Sequence, residues 1–195
     1  MYKENFGNIP NRDKINYFLK EDNPNFGKWV KHSYLIGRSA KNIAEEIGLD
    51  PDIAYACGCL HDIGKYDKDK GARHIIKGFE LLRSETFFFP ARIALTHSFI
   101  IKKVDSYSGK MNIDYKDKKF IEDYLFQIEY NDYDKLIQLL DGSIKYKYLG
   151  IEERARINLE KYGDNGYYQI KIEKLKELEE YFEKKLKYPI ANYAK

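Results

Sequence analysis

The sequence predicts an all-α fold, on three observations. Apolar residues recur at three- and four-residue steps along most of the 195 positions. Gly, Pro, Asp and Asn fall where helices start and stop. No stretch alternates apolar and polar residues well enough for a strand beyond short patches. The expected architecture is a helical bundle with additional C-terminal helices, a single unit over residues 1–195, since this length suits one sizeable core.

The elements follow in order. A short helix is predicted around residues 12–19, ended by Asn23-Pro24. Phe26, Trp29, Val30, Ile36, Ala40, Ile43 and Ile47 then mark one long amphipathic helix, closed by Gly48. Asp50 is the N-cap and Pro51 the first position of the next helix. It runs through Ala54, Ala56 and Leu60 to His61-Asp62 and stops near Gly64. Residues 66–71 read as a charged loop. Helices are predicted over 74–83 and 90–99, then a long polar loop over 102–116. Helices resume at 118–129, 132–144, 151–162 and 167–186. The last of these puts Leu175, Leu178, Phe182 and Leu186 on its buried side.

Composition narrows the function classes. With 43% hydrophobic and 33% charged residues the chain reads as an ordinary soluble globular protein. A net charge of +3, with Lys and Arg interleaved with acids, argues against a nucleic-acid groove. No apolar run approaches the roughly 20 residues of a membrane span, and MYKENFGNIP lacks a signal-peptide core. A cytoplasmic protein with no membrane partner is expected. An oligomer is possible on the apolar stripe of the last helix but otherwise unsupported. Cys57 and Cys59 would point about 200° apart on a helix, so two reduced buried thiols are expected rather than a bridge.

The chemistry lies in four histidines, His32, His61, His74 and His97, each within a helical stretch. His32 shares a face with Trp29, Ile36, Ala40 and Ile43. His61 lies with Ala54, Cys57 and Gly58, and His97 with Pro90, Ile93 and Ala94. Asp62 follows His61 directly, and Asp141 falls on an apolar face with Ile137 and Ile144. An ionised carboxylate in such a setting costs several kcal/mol unless paired or metal-bound. Lys145 is the nearest cation on that helix. Imidazoles and carboxylates together suit a divalent ion, with iron, manganese, magnesium, cobalt, nickel and zinc all compatible. Such an ion supplies hydroxide near neutral pH and acts as a Lewis acid. Lys65, three residues after Asp62, is placed either to neutralise a phosphate or to stay solvated in its loop.

These residues carry a resemblance. His32, His61-Asp62 and Asp141, in that order, within KHSYLIGRSAKNIAEEIGLDPDIAYACGCLHDIGK and LLDGSI, resemble the HD domain superfamily of metal-dependent phosphohydrolases. The resemblance covers residues 29–147, for an HD core of about 25–147 and a C-terminal helical extension of about 148–195. It implies His32, His61, Asp62 and Asp141 as ligands of one metal. His74 and His97 are similar to the extra histidines of two-metal HD subfamilies, in which the HD aspartate, here Asp62, bridges. The alternative for His74 is a substrate phosphate contact or a loop cap. No GYP element is present, which argues against cyclic-di-GMP cleavage. The tract GSIKYKYLGIEERARINLEKYG looks like that of a group of bacterial HD proteins. In it Arg154 and Arg156 either face the pocket or form salt bridges on the helix surface.

The resemblance implies hydrolysis of a phosphate ester or anhydride in a nucleotide or similar small molecule, with one or two divalent ions per chain. Asp62 would orient or deprotonate water, while Lys65 and His74 steady the phosphate. Two alternatives share the pocket: a nucleotide-sensing module without turnover, and a di-iron oxygenase.

Overall fold

The structure is a computed structural model that describes residues 1–19, 27–67 and 71–194. It is all-α. Among the described residues are nine α-helices and one two-stranded antiparallel patch, β1 (Tyr2–Lys3) with β2 (Gly7–Asn8). The helices are α1 (Arg12–Phe18), α2 (Lys28–Ile47), α3 (Pro51–Leu60), α4 (Arg73–Ser84) and α5 (Phe88–Thr96). They continue as α6 (Tyr115–Gln127), α7 (Asp132–Ser143), α8 (Ile151–Tyr162) and α9 (Tyr168–Glu183). None is long and apolar enough to cross a membrane.

Local chemistry sets the ends. Gly48 closes α2 in the left-handed conformation, where a side chain would be strained. The Asp50 carboxylate accepts from the backbone of Asp52 and Ile53, and Pro51 opens α3. Asn131 and Asp134 form a reciprocal capping box at the start of α7.

Some predicted boundaries shift. The helix predicted from residue 90 starts at Phe88, because Pro90 is tolerated in a first turn, where its missing N–H has no partner to lose. The loop predicted over 102–116 contains a 3-10 turn at Val104–Ser106, and α6 begins at Tyr115 because Asp114 caps it. Tyr66, placed in a loop from sequence, belongs to a 3-10 turn over Ile63–Asp67. Asn23-Pro24 and Phe26 lie outside the described residues, as do residues 68–70 of the predicted charged loop.

Packing then assembles the bundle. α2 and α3 lie against each other along most of α3, and α4 packs on α5 and on the 3-10 turn that follows α3. α7 touches α2, α3, α5, α8 and α9, so it is the element the others share. Val30, Ile36, Ala40 and Ile43 of α2 are fully buried, as the stripe requires. Phe6 of the N-terminal hairpin packs edge-on against Phe89 and Tyr133. Cys57 and Cys59 are buried free thiols, and burial pushes the Cys59 thiol up to about 12.

Candidate metal centre

Five elements bring the six singled-out side chains to one place. His32 comes from the second turn of α2, and His61 and Asp62 follow the end of α3. His74 is in the first turn of α4, His97 caps α5, and Asp141 is in the last turn of α7. All four imidazoles and Asp62 are buried. Asp141 keeps a quarter of its side chain exposed, at 24%, rather than lying on the closed apolar face predicted for it.

The distances define two groups that share one carboxylate. His32 Nε2 is 3.0 Å from Asp141 Oδ1, and His61 Nε2 is 3.5 Å from Asp62 Oδ2 and 3.9 Å from Asp141 Oδ1. On the other side, His74 Nε2 is 3.2 Å and His97 Nε2 3.6 Å from Asp62 Oδ1. His32, His61 and Asp62 offer donor atoms with metal-site spacing, and so do Asp62, His74 and His97. Asp62 therefore turns one oxygen toward each group.

The outer nitrogens are all committed. His32 Nδ1 lies 2.9 Å from the Lys145 carbonyl and His61 Nδ1 2.7 Å from that of Gly58. His74 Nδ1 lies 2.6 Å from the Gly71 carbonyl and His97 Nδ1 3.0 Å from that of Ala94. A carbonyl only accepts, so each Nδ1 carries the proton and each Nε2 of a neutral ring presents a lone pair. Those lone pairs face carboxylate oxygens, acceptor against acceptor. Nε2 of His61 and of His74 are buried without any hydrogen-bond partner. Buried polar atoms are rarely left this way, and a cation between them resolves the conflict. The donor set thus fits a divalent ion in each group.

The carboxylates call for positive charge at this centre. Burial pushes the Asp62 carboxyl up, but the Lys65 ammonium, with His61 and His74 in their protonated forms, outweighs it and holds it well below the usual carboxylate range. Burial also opposes ionisation of Asp141, and His32, His61 and Arg154 more than offset it. Lys145, the nearest cation along the chain, meets the centre through its backbone carbonyl, which lies 2.9 Å from His32 Nδ1. Burial lowers the His74 pKa below the ordinary 6.5. The Lys65 amine is ion-paired to Asp62 Oδ2, while about a third of the side chain stays exposed, at 35%.

Five of the six side chains, with Lys65, line a cavity of about 1120 Å³, and His61 is buried behind them. Other walls come from the tract after α5 and from α8 and α9. The two arginines of α8 separate. Arg154 lines the cavity, donating to the Ile144 carbonyl at 3.0 Å and to Asn158 Oδ1 at 2.6 Å. Arg156 is exposed and paired with Glu153 and Glu160. Two cavity residues escaped the sequence reading. The Tyr107 ring stacks at a tilt on His74, 6.3 Å between centroids. Lys171 Nζ donates to Ser108 Oγ at 2.7 Å, and burial pulls its amine down to about 8. Lys171 lies four residues before Leu175, on the inward face of α9, but a lysine among the many Lys and Glu of that helix carries no signal of its own. Nothing in the loop sequence marked Tyr107.

The family model described as HD domain matches residues 29–142. Ribonuclease Y of Lactobacillus helveticus (strain DPC 4571) is 44% identical over 55 residues, 28% of this chain and 10% of that protein. Ribonuclease Y of Alkaliphilus metalliredigens (strain QYMF) is 44% identical over 55 residues, 28% of this chain and 12% of its own length. That of Rhodopirellula baltica (strain DSM 10527 / NCIMB 13988 / SH1) is 46% identical over 55 residues, 28% of this chain and 10% of its own. The chain thus spans about a tenth of the length of the curated relatives it matches. No solved structure matches.

Proposed function

The chain belongs to the HD domain family of metal-dependent phosphohydrolases, and we propose that it hydrolyses a phosphate ester or anhydride in a nucleotide or similar small molecule. The observation that carries this reading is the division of Asp62 between two groups of imidazoles, with Nε2 of His61 and of His74 buried and without a hydrogen-bond partner. His32, His61, Asp62 and Asp141 would hold one divalent ion, and Asp62, His74 and His97 a second.

Bound there, the metal supplies Lewis acidity and a lowered pKa for water at neutral pH. The protein's own groups do the rest. Water oxygen forms the new bond to phosphorus as the bond to the leaving oxygen breaks. Asp62, ionised and fixed by its neighbours, orients the water, whose proton passes to the leaving oxygen. Lys65 lies against Asp62 at the cavity wall, where its ammonium offsets negative charge building on the phosphoryl oxygens. The backbone carbonyls behind each Nδ1 keep the rings from turning. The cavity is large enough for a nucleotide, since small-molecule sites usually run about 300–1000 Å³.

The test is to load the protein with Mn²⁺ and measure phosphate release from nucleotides, sugar phosphates and short RNA. Release that depends on metal and is abolished in Asp62→Ala supports the reading. Thermal stabilisation by a nucleotide with no product from any compound would instead favour a sensor. Full turnover by metal-free Asp62→Ala would overturn the proposal.

A further inference from the structure

The walls of the cavity are more cationic than hydrolysis at the His/Asp cluster requires. Seven of the lining residues are Lys or Arg, against two carboxylates, Asp62 and Asp141. Both carboxylates are already engaged, with Lys65 and the imidazoles. Three of the cations, Arg154, Lys161 and Lys171, come from the two C-terminal helices, beyond the stretch that matches the HD domain.

These helices treat their two faces differently. On the outward side, Arg156 pairs with Glu153 and Glu160, Lys174 with Glu177 and Lys176 with Glu152. On the cavity side, among the described residues, neither Lys171 nor Arg154 forms an ion pair with any carboxylate. Lys171 has one hydrogen-bond partner, Ser108 Oγ, for three ammonium donors. Arg154 uses Nε and Nη1 on the Ile144 carbonyl and Asn158, which fixes the plane of its guanidinium. Asp141 acts on both only through space. A partly buried cation with no directly paired counter-ion is costly. Two such cations lining the cavity, each hydrogen-bonded only to neutral partners, have the form of an anion site. The guanidinium and ammonium match phosphate oxygens, the first as a fork and the second as a point charge.

We propose that α8 and α9 build a second anion subsite on this cavity, centred on Lys171 and Arg154, for a substrate that carries a further phosphate besides the one hydrolysed. The inference rests on the phosphohydrolase reading for the identity of the hydrolysed group, but not for the subsite itself. Tyr162 and Tyr168, on the same two helices, also line the cavity and supply aromatic surface for a base. The substrate class is then a nucleoside bearing at least two phosphates.

The experiment compares Mn²⁺-loaded wild type with Lys171→Met and Arg154→Gln, which keep much of each side chain's bulk. Adenosine 5′-monophosphate, 5′-diphosphate and 3′,5′-bisphosphate are the probes. Affinity from thermal shift and phosphate release are read on the same samples. Wild type should bind at least one doubly phosphorylated probe about tenfold more tightly than the monophosphate, a difference of about 1.4 kcal/mol. In the variants that ratio should fall toward one, and Lys171→Arg should restore most of it. If no probe shows such a preference, or if the preference survives in the variants that fold, the subsite is refuted. If the preference is present and lost as expected but no phosphate is released from any probe, the subsite stands and the hydrolase reading falls. Should one variant fail to fold, the other decides.

Discussion

His74 Nε2 lies 3.2 Å from Asp62 Oδ1, the carboxylate oxygen that does not face His61. Because His74 Nδ1 is held by the Gly71 carbonyl, that contact sets a lone pair against an anion. The arrangement predicts occupancy. Elemental analysis of protein purified without added metal should find about two ions per chain. His74→Ala and His97→Ala should each reduce this to about one, and Asp62→Ala should remove both while the protein still melts cooperatively. Activity of each variant should drop by more than the roughly 10–100-fold that loss of an outer partner of a ligand costs. Two retained ions in His97→Ala would show that the second group does not bind metal.

Gly58 couples packing to the same centre. A Cβ there would stand 2.7 Å from Gly37 Cα and 2.8 Å from Gly37 N, so α2 and α3 approach backbone to backbone. Neither atom is the end of a flexible side chain, and only separation of the helices makes room. The Gly58 carbonyl also receives His61 Nδ1. Gly58→Ala should therefore cost about 1–3 kcal/mol, seen as a fall in Tm of roughly 2–4 °C per kcal/mol for a chain of this size. It should also weaken metal binding, through the displaced imidazole. A variant with the wild-type Tm and full metal content would contradict the coupling.

The contrast between Asp50 and Lys171 shows what the sequence could reveal. Asp50-Pro51 is a local signal: the cap bonds lie within three residues, and no distant element can change them. The inward phase of His32, His61 and His97 was legible for a similar reason, because each sits among apolar neighbours at helical spacing. Lys171 sits in a helix rich in Lys and Glu, where one unpaired lysine looks like its paired neighbours. Its role appears only once Ser108, 63 residues away, is packed against it. Arg154 and Arg156 make the same point. Two residues apart on a helix, they face nearly opposite directions, but which one turns inward depends on how α8 docks. That docking is tertiary: α7 and α9 flank it, with Leu175 seated over Gly142, whose absent side chain leaves room for it.

Asp134 anchors α5 to α7. It accepts from Arg92 Nη2 at 2.6 Å and Nε at 3.2 Å, from Thr96 Oγ1 at 3.1 Å and from the Asn131 backbone at 3.1 Å. The carboxylate is buried while Arg92 is only partly so. Removing one partner of such a pair leaves the other uncompensated, so Asp134→Ala should cost about 3–5 kcal/mol by urea denaturation. Replacing both partners, as Arg92→Met with Asp134→Leu, should cost less than the two single changes added together. A loss below about 1 kcal/mol in Asp134→Ala would mean that the pair is not structural.

Asp132 fastens α9 to the start of α7, and its bonds depend on charge. The carboxylate accepts from Tyr181 Oη at 2.8 Å and from Lys185 Nζ at 3.0 Å. Partial burial pushes its pKa up, but these two donors outweigh it and hold it below the ordinary 3.8. Its place in the first turn of α7 also favours the ionised form. The sign follows from proton binding. Between the lowered folded value and the unfolded value the unfolded chain holds more protons, so stability rises with pH through that interval. The contribution is complete above the unfolded value and lost as pH falls through the folded one. Asp132→Asn, which cannot ionise, should be less stable than wild type by about 0.5–1 kcal/mol at pH 6–7, a modest figure because the group is partly exposed. The gap should begin to narrow as pH falls below the ordinary 3.8 and close as it passes through the lowered folded value, where the wild-type carboxyl takes up its proton. Denaturation curves at pH 7 and at pH 3 and below measure this, and an equal gap throughout would show that the ionisation of Asp132 does not hold α9.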